Sequence, residues 1–222
     1  FYVRPEELTA YEAGFKSTLA DGRMQLNASA FHYDYDNRQS FILDEFNAVV
    51  LANIPKSELR GVELEFALAP TANLDIRGGV TWLDAEVTEP PTPTDLNGIN
   101  PAGSIVKGSP LSQAPEVAYS LMARYSWALS DRLDGRFIVN YSHKDEQLAS
   151  VADPSSMYGA IKDLGARFAL ASNDGNWEVA LWGRNLTDDD AFTFAQTTFA
   201  GESMKFVQKP LTYGVEFRYT WN

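Results

Sequence analysis

Leu59-Arg60-Gly61-Val62-Glu63-Leu64-Glu65-Phe66-Ala67-Leu68 reads in steps of two. Val62, Leu64, Phe66 and Leu68 are apolar, and Gly61, Glu63, Glu65 and Ala67 between them are charged or small. Successive side chains of a β-strand point to opposite faces, so this stretch makes a strand with one apolar and one polar face. The rhythm recurs. Leu74, Ile76, Val80 and Trp82 alternate with Asp75, Arg77, Gly79 and Thr81. Val117, Tyr119, Leu121, Ala123, Tyr125 and Trp127 alternate with Ala118, Ser120, Met122, Arg124 and Ser126. Near the end, Tyr213, Val215, Phe217, Tyr219 and Trp221 alternate with Thr212, Gly214, Glu216, Arg218 and Thr220.

About nine such strands are predicted, at 9–19, 23–35, 57–69, 73–86, 115–128, 132–146, 162–171, 176–186 and 211–221. Each approaches the roughly 9–11 residues that a tilted strand needs to cross a bilayer. The second strand changes phase: Met24, Leu26, Ala28 and Ala30 keep one parity, then Phe31, Tyr33 and Tyr35 take the other, and a bulge is expected between them. Short connections carry turn chemistry: Ala20-Asp21-Gly22, Pro70-Thr71-Ala72, Ser130-Asp131-Arg132 and Ser172-Asn173-Asp174-Gly175. Long ones alternate with them, at about 36–56, 87–114, 147–161 and 187–210. Short turns on one side and long loops on the other are the pattern of outer-membrane barrels, with the short turns periplasmic. That direction places Asn222 in the periplasm and makes residues 1–8 the end of an extracellular loop.

Composition narrows the alternatives. The chain has 222 residues, no cysteine and a net charge of -12. Cysteine-free chains have neither a disulfide framework nor a thiolate metal site. An acidic chain repels phosphate backbones, which argues against nucleic-acid binding. No apolar run approaches the roughly 18 residues of a membrane helix. Transmembrane strands escape that test, and aromatics at 13% suit the girdles of a barrel. No leader opens the sequence, and no helical period, internal repeat or dividing linker stands out.

Few residues offer chemistry. His32, Asp34 and Asp36 share one strand face at metal-ligand spacing, but alternating polar residues also suit a barrel lumen or a polar interface face. Glu63 and Glu65, with Arg77 and Arg60 as expected partners, read as lumenal charges rather than an acid–base pair. Glu12 with Lys16, Asp134 with Arg136 and Glu216 with Arg218 repeat the theme. Asp188-Asp189-Asp190 lacks calcium-loop spacing and reads as a solvated loop tip. No nucleophile elbow, P-loop or zinc-protease helix occurs, and no cofactor is expected. The loop aromatics Phe41, Phe46, Phe192, Phe194 and Phe199 are the expected substrate contacts, because exposed loop aromatics carry recognition.

Several segments resemble, in order, the C-terminal part of TonB-dependent receptors. They are Arg4-Pro5-Glu6, Tyr11-Glu12-Ala13-Gly14-Phe15-Lys16, Leu59 to Glu65, Ala114-Pro115-Glu116, Leu181-Trp182-Gly183-Arg184-Asn185-Leu186-Thr187-Asp188 and Tyr213 to Tyr219. Gly214, Phe217, Tyr219 and Trp221 are similar to the family's C-terminal assembly signal, although its terminal Phe is replaced by Trp221-Asn222.

The resemblance implies an all-β fold, an antiparallel transmembrane β-barrel, with residues 1–222 supplying about nine C-terminal strands of 22. It also implies a plug domain, a TonB-contacting segment (the TonB box) and earlier strands outside this chain. The expected function is TonB-energised uptake of a scarce nutrient such as a siderophore–iron chelate, cobalamin or a glycan. It is a transport function, not an enzyme. The implied partners are the TonB complex, outer-membrane lipid, the barrel assembly machinery and a small-molecule substrate. A passive porin and a soluble all-β binding domain are the alternatives.

Overall fold

Antiparallel hairpins follow one another along almost the whole chain. The structure, a computed structural model, describes residues 2–46, 48–101, 103–151, 153–198 and 200–221. Phe199 and Asn222, both singled out above, lie outside the described residues. The strands are β1 (Glu7–Leu19), β2 (Met24–Leu43), β3 (Val49–Thr71), β4 (Leu74–Glu89), β5 (Val117–Ser130), β6 (Leu133–Lys144), β7 (Gln147–Leu148), β8 (Met157–Tyr158), β9 (Ile161–Ser172), β10 (Trp177–Arg184), β11 (Phe192–Thr197), β12 (Ser203–Val207) and β13 (Thr212–Tyr219). Nine of them form one sheet in the order β1-β2-β3-β4-β5-β6-β9-β10-β13. The pairs β7-β8 and β11-β12 belong to loops.

The wall is staggered as a barrel wall must be. One row of paired residues runs Leu19, Met24, Leu68, Ile76, Ala123, Val139, Ala166, Gly183, Tyr213. It starts at the short-turn end of β1 and finishes at the loop end of β13. The pairing direction therefore climbs from one rim to the other across nine strands, which is the shear that accompanies strand tilt in a closed sheet. The sheet is concave on its polar side, where a trough of about 520 Å³ lies among Gln25, Asn27, Glu65, Arg77, Met122 and Asn140. The apolar phase is on the convex side and bears Leu64, Leu121, Tyr125, Phe137, Leu181, Val215 and Phe217. The roughly ten residues Gly61 to Pro70, at about 3.3 Å each and tilted by about 40°, rise about 25 Å, the height of a hydrocarbon band.

Two expectations about β2 fail. Its register with β1 and with β3 is unbroken along Phe31 to Tyr35, so no bulge exists there. What changes is the chemistry of each face. Ala13, Ala30, Val62 and Trp82 form the last apolar row of the convex side. The next rows are Tyr11, His32, Arg60 and Asp84, then Thr9, Asp34, Glu58 and Glu86. Above the lipid band the outer face is charged, and the inner face takes Phe31 and Tyr33, stacked at 5.0 Å.

The second correction concerns 36–56, expected as a loop. β2 and β3 continue to Leu43 and Val49 as a tall hairpin. The period-two reading stops early because Asn37 turns to φ 53° opposite Pro55, which has no N–H to pair. The tall hairpin packs Ile42, Ala52 and Ile54 against Val87, Leu96, Ile105, Leu111 and Val151, a buried cluster above the band. Burial of each large aliphatic side chain contributes about 1.5–3 kcal/mol, enough to fix these loops.

Four strand glycines, Gly61, Gly78, Gly135 and Gly214, are covered by aromatic rings across the ladder. A Cβ on Gly135 would lie 2.4 Å from the ring of Trp127, one on Gly61 2.6 Å from Phe31, and one on Gly214 2.8 Å from Trp182. Each ring fills the space its paired glycine leaves open.

The two faces predict unequal responses to charge. In the full-length protein Leu64→Lys should cost roughly 2–4 kcal/mol, because it carries a charge into lipid without a partner. Glu63→Lys, on the wet concave side, should cost much less. Denaturant titration in detergent or bilayers measures both. Cysteines at Val62, Leu64 and Phe66 should react with a lipid-soluble reagent and resist a water-soluble one. Equal labelling at 62, 63, 64, 65 and 66 would exclude a lipid-facing strand.

Candidate functional site: a pocket between three loops

Phe41 and Phe194 are 153 positions apart in sequence, and the fold brings them into one pocket. It has a volume of about 280 Å³ and is lined by Phe41, Ile42, Leu43 and Val49 of the tall hairpin, by Ala149, Ser150, Asp153 and Ser156 of the β6–β9 loop and by Phe194, Gln196 and Thr197 of β11. The hairpin reaches this point because β2 and β3 run on past the band. Phe194 is held between Tyr158, at 5.6 Å, and Phe206, at 6.0 Å. Burial pushes the Tyr158 hydroxyl pKa up.

Hydrogen bonds join the three loops. Asp153 is buried, and its Oδ1 accepts from the Ser155 backbone N–H at 3.0 Å and the Ser155 hydroxyl at 2.5 Å. Its Oδ2 accepts from the Thr197 hydroxyl. Ser155 and Thr197 hydroxyls are 2.9 Å apart, and Ser150 Oγ donates to the Phe41 carbonyl at 3.4 Å. A buried carboxylate needs such donors to replace water. A single 3₁₀ turn, Pro154–Ser156, supplies two of them because Asp153 caps it.

Not every expected contact joins the pocket. Phe46 stands exposed at the hairpin tip, and Phe192 lies under Lys205, 4.8 Å from its ring. Neither lines the cavity.

Asp188-Asp189-Asp190, expected as a solvated tip, instead includes two joints of the β10–β13 loop. Asp189 Oδ2 accepts from Lys162 N at 2.8 Å, and Asp188 Oδ1 from Leu211 N at 3.1 Å. Asn185 is the hub. It is buried at φ 48°, its Nδ2 donates to the carbonyls of Asp189 and Lys209, both at 2.9 Å, and its Oδ1 accepts from Asp189 N. The motif Asn185 to Asp188 was visible in the sequence, but its role as a loop clasp was not.

The charge pairs also differ from expectation. Arg60 faces outward and pairs with Asp84 at 2.7 Å, while Arg77 pairs with Asp75 at 2.9 Å, so neither serves Glu63 or Glu65. Arg136 pairs with Glu178 at 3.5 Å instead of Asp134. Glu216 with Arg218 is found as expected, at 2.9 Å, and Arg167 extends the network to Glu178 and Glu216. His32 sits between Asp34 at 3.3 Å and Glu58 at 3.7 Å, on the outer face rather than in the lumen, with Arg60 beside Glu58. Asp36 is one row further out and does not join that group.

Residues 2–6 run alongside the tall hairpin. Arg4 pairs with Asp95, whose carboxyl is held below the usual range, first by the Thr92 hydroxyl. A depressed carboxyl stabilises the fold above its unfolded pKa, and that contribution fades as pH falls through the folded value. The tether should therefore persist through the ordinary carboxylate range and release only in stronger acid, as read by proteolysis of the full-length protein at residues 2–6. Replacing Asn185 with Ala removes the donor from two part-buried carbonyls and should cost about 0.5–1.5 kcal/mol locally. Protease should then cut between 186 and 211 at least several-fold faster, with the wall intact; an unchanged rate would refute the clasp.

Residues 2–186 match the family described as TonB dependent receptor-like, beta-barrel. The chain is 32% identical over 173 residues to the metal-pseudopaline receptor CntO of Pseudomonas aeruginosa, covering 76% of this chain and 22% of that protein. It is 27% identical over 194 residues to the probable TonB-dependent siderophore receptor PiuA of Acinetobacter baumannii, covering 87% and 24%. The crystal structure of PiuA superposes with a TM-score of 0.73 at 22% identity, over 97% of this chain and 28% of that one. The ferric yersiniabactin uptake receptor FyuA of Yersinia pestis gives 0.68 at 16%, over 96% and 30%. The chain thus spans about a quarter of the length of these relatives. The staggered wall, its lipid-facing band and the family match agree: this chain belongs to the TonB-dependent receptors and contributes wall and long loops to their outer-membrane β-barrel.

Proposed function

We propose that the chain serves a receptor that captures a small metal chelate of the siderophore class outside the cell and imports it with energy delivered through TonB. The three-loop pocket carries this reading: it is apolar, framed by hydrogen bonds, and set at the loop end of a wall whose inner face is polar. In this reading the protein binds and gates, and it breaks no covalent bond. Residues 1–222 form the C-terminal part of the barrel, and a plug domain, the TonB-contacting segment and further strands belong to the rest of the receptor. Phe41 and Phe194 are the primary contacts, with Phe46, Phe192 and Phe199 as further candidates on the same loops. CntO and PiuA bear names that tie them to metal chelates and siderophores, which supports the class without naming the compound.

The remaining partners follow from the outer face. Lipid covers the apolar band. Gly214, Phe217, Tyr219 and Trp221 present the C-terminal strand to the assembly machinery; Phe217 and Tyr219 point outward, and Tyr219 meets Trp221 edge-on at 5.1 Å.

Deleting the gene should slow growth under metal restriction, and a chromosomal copy should restore it only in cells with intact TonB. Restoration without TonB, together with steady ion conductance of the purified barrel in planar bilayers, would replace this reading with a passive porin. Phe217→Ala with Tyr219→Ala should lower the outer-membrane level of the full-length protein several-fold. Unchanged surface exposure would remove the assembly role.

A further inference from the structure

The pocket is specific about what it can hold. Its apolar walls are Phe41, Ile42, Leu43, Val49, Ala149 and Phe194; Ser150, Ser156, Gln196 and Thr197 add uncharged polar groups, and among the described residues no lysine or arginine lines it. The one ionisable group in the lining is Asp153, and both of its carboxylate oxygens are already bonded to Ser155 and Thr197. An anionic group entering here would meet a carboxylate and no counter-charge, which is costly at an apolar site. A metal ion would have to displace the Ser155 and Thr197 bonds and would find no second carboxylate or imidazole in the lining.

Size points the same way. At about 280 Å³ the cavity falls just below the roughly 300–1,000 Å³ of sites that enclose a whole drug-sized ligand. It has room for one ring or a short chain. Its shape is set beforehand, with Phe194 wedged between Tyr158 and Phe206 and the Phe41 carbonyl fastened by Ser150. A preformed apolar pocket loses little on binding and rewards an uncharged group that fills it.

We propose that this pocket takes an uncharged apolar arm of the imported chelate, an aromatic ring or a short acyl chain, and leaves the charged metal-binding centre outside it. The proposal rests on the receptor reading above and deepens it. It divides recognition in two: the arm is read by Phe41 and Phe194, and the metal centre by groups elsewhere in the receptor. Chelators that share a metal centre and differ in the arm are then distinguished at these two rings.

The test uses the full-length receptor in detergent and three families of ferric chelate, hydroxamate, catecholate and carboxylate. Each is made in two forms, alike in the iron centre, one with an aryl or acyl arm and one without. Titration calorimetry gives the affinity ratio between the two forms. In the family that binds, the arm should improve affinity by about tenfold, the worth of roughly two buried methylenes. In Phe41→Ser combined with Phe194→Ser the ratio should fall toward one. Phe41 is an exposed side chain, so Phe41→Ser alone, checked for heat-modifiable migration, gives the same reading if the double variant folds poorly. A ratio near one in the natural protein, or a ratio that survives both substitutions, overturns the proposal while leaving the receptor reading standing. Failure of every chelate to bind overturns both.

Discussion

Hydrocarbon offers a backbone amide no water, so every N–H and C=O within the bilayer must find its partner in the sheet. The rest of the wall follows from that constraint. Pairing is continuous through the band, and every register shift falls outside it: between Lys56 and Ser57 above, at Leu68/Thr71 and Ala128/Ser130 beside the short turns, and at Phe192/Phe194 in a loop. Pro55 and Pro70, which cannot donate, also lie outside the band, Pro55 in the part of β3 that belongs to the tall hairpin and Pro70 beside the short turn. Irregular backbone is permitted only where water or packed protein can satisfy it.

Freed from the lipid, the same strands behave differently. Above the row of Trp82 the convex face becomes charged, and β2 and β3 continue as a freestanding hairpin. That hairpin has to bury something, and it buries Ile42, Ala52 and Ile54 against two neighbouring loops. The pocket follows from this: a hairpin ending at the membrane surface would leave Phe41 far from Phe194. Asp153 and Asn185 then fix the other two loops by accepting or donating where backbone and hydroxyl groups would otherwise be unpaired.

The loops were the least legible part of the sequence, for a physical reason. A strand in lipid is constrained at every second position, so its pattern repeats and can be read locally. A loop is fixed by a few long-range bonds, and nothing local marks Asp153 as the partner of Thr197 or Asp189 as the partner of Lys162. Phe41, Phe46, Phe192 and Phe194 looked equivalent as exposed aromatics. The fold separated them, two into the cavity, one to a tip and one beneath a lysine. Arg60 was similarly misplaced: Glu58 and Lys56 further along the same face were the local sign that the outer face turns polar at its row, and the pairing with His32 and Asp84 made it plain.

What the sequence by itself determined is the wall: nine strands, their alternation, their short turns and the order of motifs that match the family. Period-two alternation is imposed residue by residue by the contrast between lipid and water, so it survives without any knowledge of neighbours. Only the tertiary structure decided the height of the β2–β3 hairpin, the facing of His32 and Arg60, and the meeting of Phe41 with Phe194. Those depend on which distant segments pack above the membrane, where one-sided burial and long-range hydrogen bonds replace the lipid as the organising force.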